Sequence, residues 1–134
     1  MKTLLRRQTT RRPKVFSTWG KHLIVDAYGI EASVLRDKTI FTRLLIDLPK
    51  KLKMTIFADP TVVKIGCAEC PDEFGLSGFV IIFESHIAFH TWPEHGYVSM
   101  DIYSCKEFDE HRAIQFLKEV WKTEEIKTRV MARG

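Results

Sequence analysis

Apolar side chains recur along this chain with two different periods, and the switches between them mark out its elements. Residues 22–28 are rich in strand-forming side chains and stop at Gly29, which predicts a first strand. Ile40, Phe41, Leu44, Leu45 and Leu48 then recur at helical spacing, predicting an amphipathic helix over 37–48 that Pro49 ends or kinks. Residues 54–58 and 61–65 read as short strands separated by the turn signal Asp59-Pro60, and 66–75 as a loop. Residues 79–83, 87–91 and 97–104 are strongly strand-like. Ala113, Leu117, Val120 and Trp121 share one face of a helix over 109–121, and 126–131 closes the chain as a strand. This order, with five strands between the two helices, lacks the strict alternation of a doubly wound sheet. It predicts an α+β two-layer sandwich, a mainly antiparallel sheet with two helices on one face.

Composition bounds this picture. The chain has 134 residues, 45% hydrophobic and 28% charged, which suits one globular domain and excludes disordered, collagen-like and disulfide-scaffold classes. The formal charge of +4 belongs to one end: residues 1–14 hold Lys2, Arg6, Arg7, Arg11, Arg12 and Lys14 and no acid. The other 120 residues carry 15 basic and 17 acidic side chains. The expected organisation is a solvated, mobile basic tail over 1–14 and a single domain over 15–134, with no nucleic-acid partner. The longest strongly apolar stretch, 79–83, is far too short to span a bilayer, so no membrane partner is expected. Three cysteines, an odd number, fit a reducing cytoplasm. Cys67-x-x-Cys70 is open to a redox role or half a zinc site, but without a second pair it reads as two incidental loop thiols. A core this modest leaves little room for a deep pocket, so a second protomer is a natural way to complete a site.

Chemically capable residues crowd where core would be expected. Between 84 and 105 lie Glu84, Ser85, His86, His90, Glu94, His95, Asp101 and Cys105. Four readings compete: polar groups satisfied at strand ends, a metal site from His86, His90 and His95, a serine hydrolase, and a cofactor made from the backbone at Ser85. The histidine spacing matches no zinc pattern and the Gly-x-Ser-x-Gly elbow is missing, so neither a metal nor a hydrolase is expected. Strand parity adds a constraint. Ser85 and His90 are five apart, so one uninterrupted strand over 79–91 would put them on opposite faces unless the chain reverses near 84–85.

Gly-Leu-Ser-Gly at 75–78, Glu-Ser-His at 84–86, His-Thr-Trp-Pro-Glu at 90–94, Gly-Tyr at 96–97 and Cys105 stand at fixed separations. Together they resemble the self-processing S-adenosylmethionine decarboxylases of the short bacterial and archaeal type, loosely over residues 18–132. The resemblance implies a proenzyme cut between Glu84 and Ser85. The Ser85 hydroxyl attacks the Glu84 carbonyl, and elimination and hydrolysis then leave a pyruvoyl group heading the chain 85–134. That ketone takes the substrate amine as a Schiff base and acts as electron sink for decarboxylation. In the resemblance His90 and Ser77 support processing, and His90 moves the α-proton. Cys105 returns a proton to the substrate carbon, as a thiol protonated at neutral pH can. Glu94 accepts hydrogen bonds from ribose hydroxyls. It also implies a homodimer with two sheets face to face, an αββα sandwich, feeding spermidine and other polyamine synthesis.

One position departs from the pattern. Where the family stacks an aromatic ring on adenine this chain has Pro71, with Phe74 nearby as a substitute, and the surrounding loop carries Glu69, Asp72 and Glu73. Acids there also suit a cationic substrate, leaving a pyruvoyl-dependent arginine or ornithine decarboxylase as the alternative. A catalytically silent regulatory paralogue is the non-enzymatic one, against which Ser85, His90 and Cys105 all speak.

Overall fold

The computed structural model describes residues 19–134. The basic segment 1–14, and the tail boundary drawn at residue 15, lie outside the described residues. Strands β1 (Gly20–Ala27), β2 (Thr61–Cys67), β3 (Cys70–Ile82), β4 (Ser85–Trp92), β5 (Tyr97–Ser104) and β6 (Ile126–Arg133) form one sheet in the order β2-β3-β4-β5-β1-β6. Every neighbouring pair is antiparallel. A one-turn helix α1 (Ala32–Leu35), the long helix α2 (Lys38–Lys51) and α3 (Glu110–Trp121) complete the fold. This is the α+β sandwich that the apolar pattern predicts.

Alternation in the strands decides which side the helices cover. Leu23 and Val25 on β1, Val80 and Ile82 on β3, Ile87 and Phe89 on β4, and Met100 and Ile102 on β5 are buried against Phe41, Leu44, Leu45 and Leu48 of α2 and Leu117 and Trp121 of α3. Phe41 sits at their centre, its ring 4.5 Å from Phe89 and 6.4 Å from Trp121. At roughly 1.5–3 kcal/mol for each large apolar side chain buried, this layer is the main source of stability. Asp37 caps α2 by accepting from the Thr39 and Ile40 amides at 3.0 and 3.1 Å, and Asp109 caps α3 through the Arg112 amide.

Among the described residues, no layer covers the other face of the sheet. That face exposes Val63, Ile65, Phe79, Ile81 and Trp92 towards the β2 edge, while His22, His86, Asp101 and Tyr103 stand further across.

Three expectations need correction. α2 runs through Pro49 to Lys51, because a proline in the last turn forfeits a single helical bond while its ring is buried in the core. Residues 54–58 form no strand. They make one isolated bridge, Ile56 to Ile82, and lie along the end of β3 with the Phe57 amide on the Ile81 carbonyl. The loop read over 66–75 is instead a hairpin: β2 and β3 stay paired to Cys67 and Cys70, which are joined by a disulfide. Cys67 and Cys70 are therefore not two incidental thiols. Their side chains close the hairpin where the local sequence, with Pro71 and three acids, carries no strand pattern.

Candidate functional site

The chain reverses between β3 and β4 in a tight turn at Phe83 and Glu84, and Ser85 is the first residue of β4. No Gly or Pro makes this turn. It is held instead by partners from elsewhere: the Phe83 amide donates to the Thr55 carbonyl at 2.9 Å, and the Thr55 amide donates to the Glu84 carboxylate at 3.2 Å. The Cys105 amide donates to the Glu84 carbonyl at 2.8 Å. Ser85 has φ of 154°, a conformation that residues with a side chain rarely adopt. The serine hydroxyl, the peptide carbonyl before it and the segment bearing the exposed Cys105 thiol thus meet at one end of the sheet.

The loop that follows Cys105 is anchored by a buried cation. Lys21 is 4% exposed and donates to the Phe108 carbonyl at 2.8 Å, to Glu107 at 2.5 Å and to Glu110. Burial works against the Lys21 charge, but hydrogen bonds and attraction from Glu107 and Glu110 hold its pKa above the ordinary 10.5. The hydrogen bond from Lys21 in turn holds the Glu110 carboxyl below its ordinary value.

His90 lies five residues further along β4, about 17 Å from Ser85 at 3.4 Å per residue. It pairs across the strands with Ser77, whose Oγ is 2.8 Å from His90 Nδ1. The glycines beside Ser77 answer to crowding: a Cβ on Gly75 would stand 2.5 Å from the Thr91 carbonyl oxygen, and one on Gly78 2.7 Å from the Phe89 ring. Thr91, buried beneath, accepts from the Leu76 amide and donates to the Leu35 carbonyl, which fixes the end of α1 against the sheet. Arg36 leaves from that point and donates to Glu94 at 3.4 Å and to the Phe74 carbonyl at 3.2 Å. Glu94 itself sits in a 3-10 turn (Pro93–His95) after β4.

Ser77, His90 and Glu94 line one cavity of about 240 Å³, together with Ile65, Glu73 and Trp92. Trp92 is held by stacking on Tyr97 at 5.1 Å. The Tyr97 hydroxyl donates to Asp26 at 2.5 Å, and burial, together with that bond, pushes its pKa up to about 12, so it stays a donor at any physiological pH.

The expected residues therefore fall into two groups. Glu84, Ser85 and Cys105 share one end of the sheet; Ser77, His90 and Glu94 share the other. Phe74 belongs to neither: strand parity puts it on the helix side, packed against the core with Lys64 over its ring, and it does not line the cavity. Of the three acids near it, Glu73 alone reaches the cavity lining. The reversal precedes Ser85, so Ser85 and His90 both lie on β4, although the positive φ of Ser85 takes its side chain out of ordinary strand alternation. The histidines are separated as well: His90 bonds Ser77, whereas His86 meets His22 and Asp101, so His86, His90 and His95 form no common site. Arg36, Ile65 and His22 belong to no motif, and Trp92 stands inside the 90–94 motif without a role read from it; tertiary placement reveals all four.

Comparisons with known proteins bear on this arrangement. A family model described as S-adenosylmethionine decarboxylase matches residues 21–134. The S-adenosylmethionine decarboxylase proenzyme of Acidithiobacillus ferrooxidans is 32% identical over 116 residues, 86% of this chain and 82% of that protein. The proenzyme of the same name from Pyrococcus horikoshii is 33% identical over 118 residues, 87% of this chain and 80% of that one. A crystal structure of the adenosylmethionine decarboxylase from Aquifex aeolicus superposes with a TM-score of 0.74 at 29% identity, covering 87% of this chain and 92% of that one.

Proposed function

The chain belongs to the S-adenosylmethionine decarboxylase family, and from that premise we propose that it is a proenzyme which cuts itself between Glu84 and Ser85 and then decarboxylates S-adenosylmethionine. The relatives' shared name favours this substrate over arginine or ornithine. The observation that carries the reading is the turn at Ser85, where an unusual backbone conformation coincides with an amide aimed at the carbonyl to be attacked.

In the first step Ser85 Oγ adds to the Glu84 carbonyl carbon and the Glu84–Ser85 C–N bond breaks, leaving an ester and a free amine. Negative charge gathers on the Glu84 oxygen as the tetrahedral centre forms, and the Cys105 N–H already donates to that atom. A fixed donor of this kind contributes roughly 2.7–4 kcal/mol to such barriers. Loss of the residue-85 α-proton then expels the Glu84 carboxylate, and hydrolysis of the resulting dehydroalanine releases ammonia. Ser85 is thus the residue from which the family's pyruvoyl group derives; that group supplies a ketone which accepts the electron pair left as carbon dioxide departs.

The other roles fall to residues of this chain. Cys105 Sγ holds the proton returned to the substrate carbon. Glu94 accepts from the ribose hydroxyls, held by Arg36, and Trp92 and Ile65 supply apolar walls that Phe74 does not. His90, its Nδ1 engaged by Ser77, moves the α-proton in processing.

One protomer cannot do this alone, since about 17 Å of strand separates Ser85 from His90. A homodimer resolves the separation. With the two-fold axis lying in the interface across the strands, an isologous contact sets the Ser85 end of one sheet against the His90 end of the other. The uncovered face, with Phe79, Ile81, Ile65 and Trp92 exposed, is the surface such a partner would bury, giving the αββα sandwich.

The test is mass measurement of wild-type protein and of Ser85→Ala. Wild type is expected as two chains meeting at 84/85 with a ketone at the new terminus, and S85A as one intact, inactive chain. An intact wild-type chain that decarboxylates S-adenosylmethionine would overturn the reading.

A further inference from the structure

On the sheet face that the proposed dimer would bury, and apart from the Ser77–His90 pair of the same protomer, three side chains from three adjacent strands converge. His22 on β1 and His86 on β4 both stand opposite Tyr103 of β5, one on each side, and Asp101 lies two residues along β5 on the same face. Asp101 Oδ2 is 2.9 Å from His22 Nε2 and 2.8 Å from His86 Nε2, and the three donor atoms all lie within 4.8 Å of one another. Neither the processing chemistry nor substrate binding uses any of the three.

We propose that His22, His86 and Asp101 form a binding site for a divalent late first-row transition ion, Zn²⁺ being the type case. Two imidazole nitrogens and one carboxylate oxygen are the donor set of open zinc sites, which keep a fourth position free of protein ligands. Nitrogen donors disfavour Mg²⁺ and Ca²⁺. Tetrahedral coordination at about 2.0–2.1 Å needs ligand atoms about 3.4 Å apart, so the two His–Asp contacts need open only by about half an ångström, a rotation that partly buried side chains can make. Tyr103 walls the cluster, its ring centroid 5.2 Å from that of His22 and 5.9 Å from that of His86.

One neighbour opposes the ion. Arg133 lies 2.9 Å from His22 Nδ1 and donates to it, which leaves the ring proton on Nε2, facing Asp101. An ion on Nε2 displaces that proton and moves the neutral ring's N–H to Nδ1, where Arg133 can no longer donate. Arg133 therefore competes with the metal through both charge and tautomer. The site stands whether or not the chain cuts itself. Should it do so, His22 falls in the segment 1–84 and His86 in 85–134, and a bound ion ties the two together.

The test uses untagged full-length protein freed of metal by chelation. Zn²⁺ is titrated by calorimetry and Co²⁺ by visible absorption. One ion per chain with an intense tetrahedral Co²⁺ spectrum is expected. His86→Asn and Asp101→Asn should each weaken binding about tenfold or more. His111→Gln, on the exposed side of α3, should leave it unchanged, and Arg133→Ala should tighten it several-fold. Absence of saturable binding, or binding that survives loss of His86 and Asp101, overturns the site. Should those two variants fail to fold, Arg133→Ala decides: unchanged or weaker affinity rejects the proposal.

Discussion

In the proposed mechanism the two ends of β4 do different kinds of chemistry with different parts of the chain. At the Ser85 end the work rests on backbone: a carbonyl, an amide and an unusual φ, held by hydrogen bonds from Thr55 and from the segment after β5. At the His90 end it rests on side chains, with Ser77, His90, Glu94 and Arg36 linked by hydrogen bonds above a cavity. A bond in the chain can be cut only where the backbone is positioned, whereas a nucleoside is read by side chains projecting into space. On the proposed mechanism one strand carries two half-sites, and strand geometry keeps them apart within a protomer.

The largest expected effect comes from breaking each half in a different copy. S85A lacks the nucleophile, and His90→Ala lacks the group at the far end; each alone should be essentially inactive. Co-expressed, they should recover about a quarter of wild-type activity, since half of the dimers are mixed and each holds one complete site. Measured decarboxylation near zero in the mixture, with mixed dimers verified by mass, would return both halves to a single protomer.

Cys105→Ala should divide the two functions of its own end. The amide that faces the Glu84 carbonyl is backbone and survives the substitution, so cleavage continues. Loss of the thiol proton should lower the rate of productive turnover by about 10²-fold or more. Normal turnover of cleaved C105A would assign the proton to another group.

Much of this contrast was legible in the sequence, though not the distance it depends on. The strand and helix pattern follows from periodicity, and Glu84, Ser85, Ser77, His90, Glu94 and Cys105 follow from the family resemblance that the spaced motifs carry. What periodicity could not supply were features imposed from a distance. The hairpin over 66–75 forms without alternation because β2 and β3 stay paired to its tip, which the Cys67–Cys70 disulfide closes. The turn at Phe83 and Glu84 has no turn residues because Thr55 and Cys105 hold it. Phe74 was read as an adenine contact from proximity in sequence, and parity sends it to the other face. Arg36 and His22 are found only through partners 58 and 79 residues away.

Glu94→Gln acts at the His90 end alone. Charge-assisted hydrogen bonds contribute about 1.5–3 kcal/mol each, so weakening two of them should raise KM for S-adenosylmethionine about tenfold or more while cleavage proceeds. Trp92→Ala should raise KM more modestly, and Phe74→Ala should act on thermal stability rather than on KM. A KM effect of F74A larger than that of W92A would reassign the adenine wall.

The smallest expected effect concerns Lys21, which steadies the loop behind Cys105 without touching the chemistry. The folded-state pKa of Glu110 lies below its ordinary value of 4.5, chiefly through the hydrogen bond from Lys21. Its contribution to stability is therefore present above that ordinary value and is lost as pH falls through the depressed one. Lys21, raised above 10.5, contributes fully below that value and loses its contribution only as pH rises through the raised one. Both contributions are present at neutral pH. Lys21→Met removes them together and leaves Glu107 and Glu110 facing each other, so Tm at pH 7 should drop by a few degrees. The more telling measurement is the slope. Between about pH 5 and pH 3 the Tm of K21M should fall less steeply than that of wild type, because Glu110 no longer has a cation to lose. Parallel slopes would mean that Glu110 draws its low pKa from elsewhere, and that the Cys105 loop is held by packing of Phe108 rather than by charge.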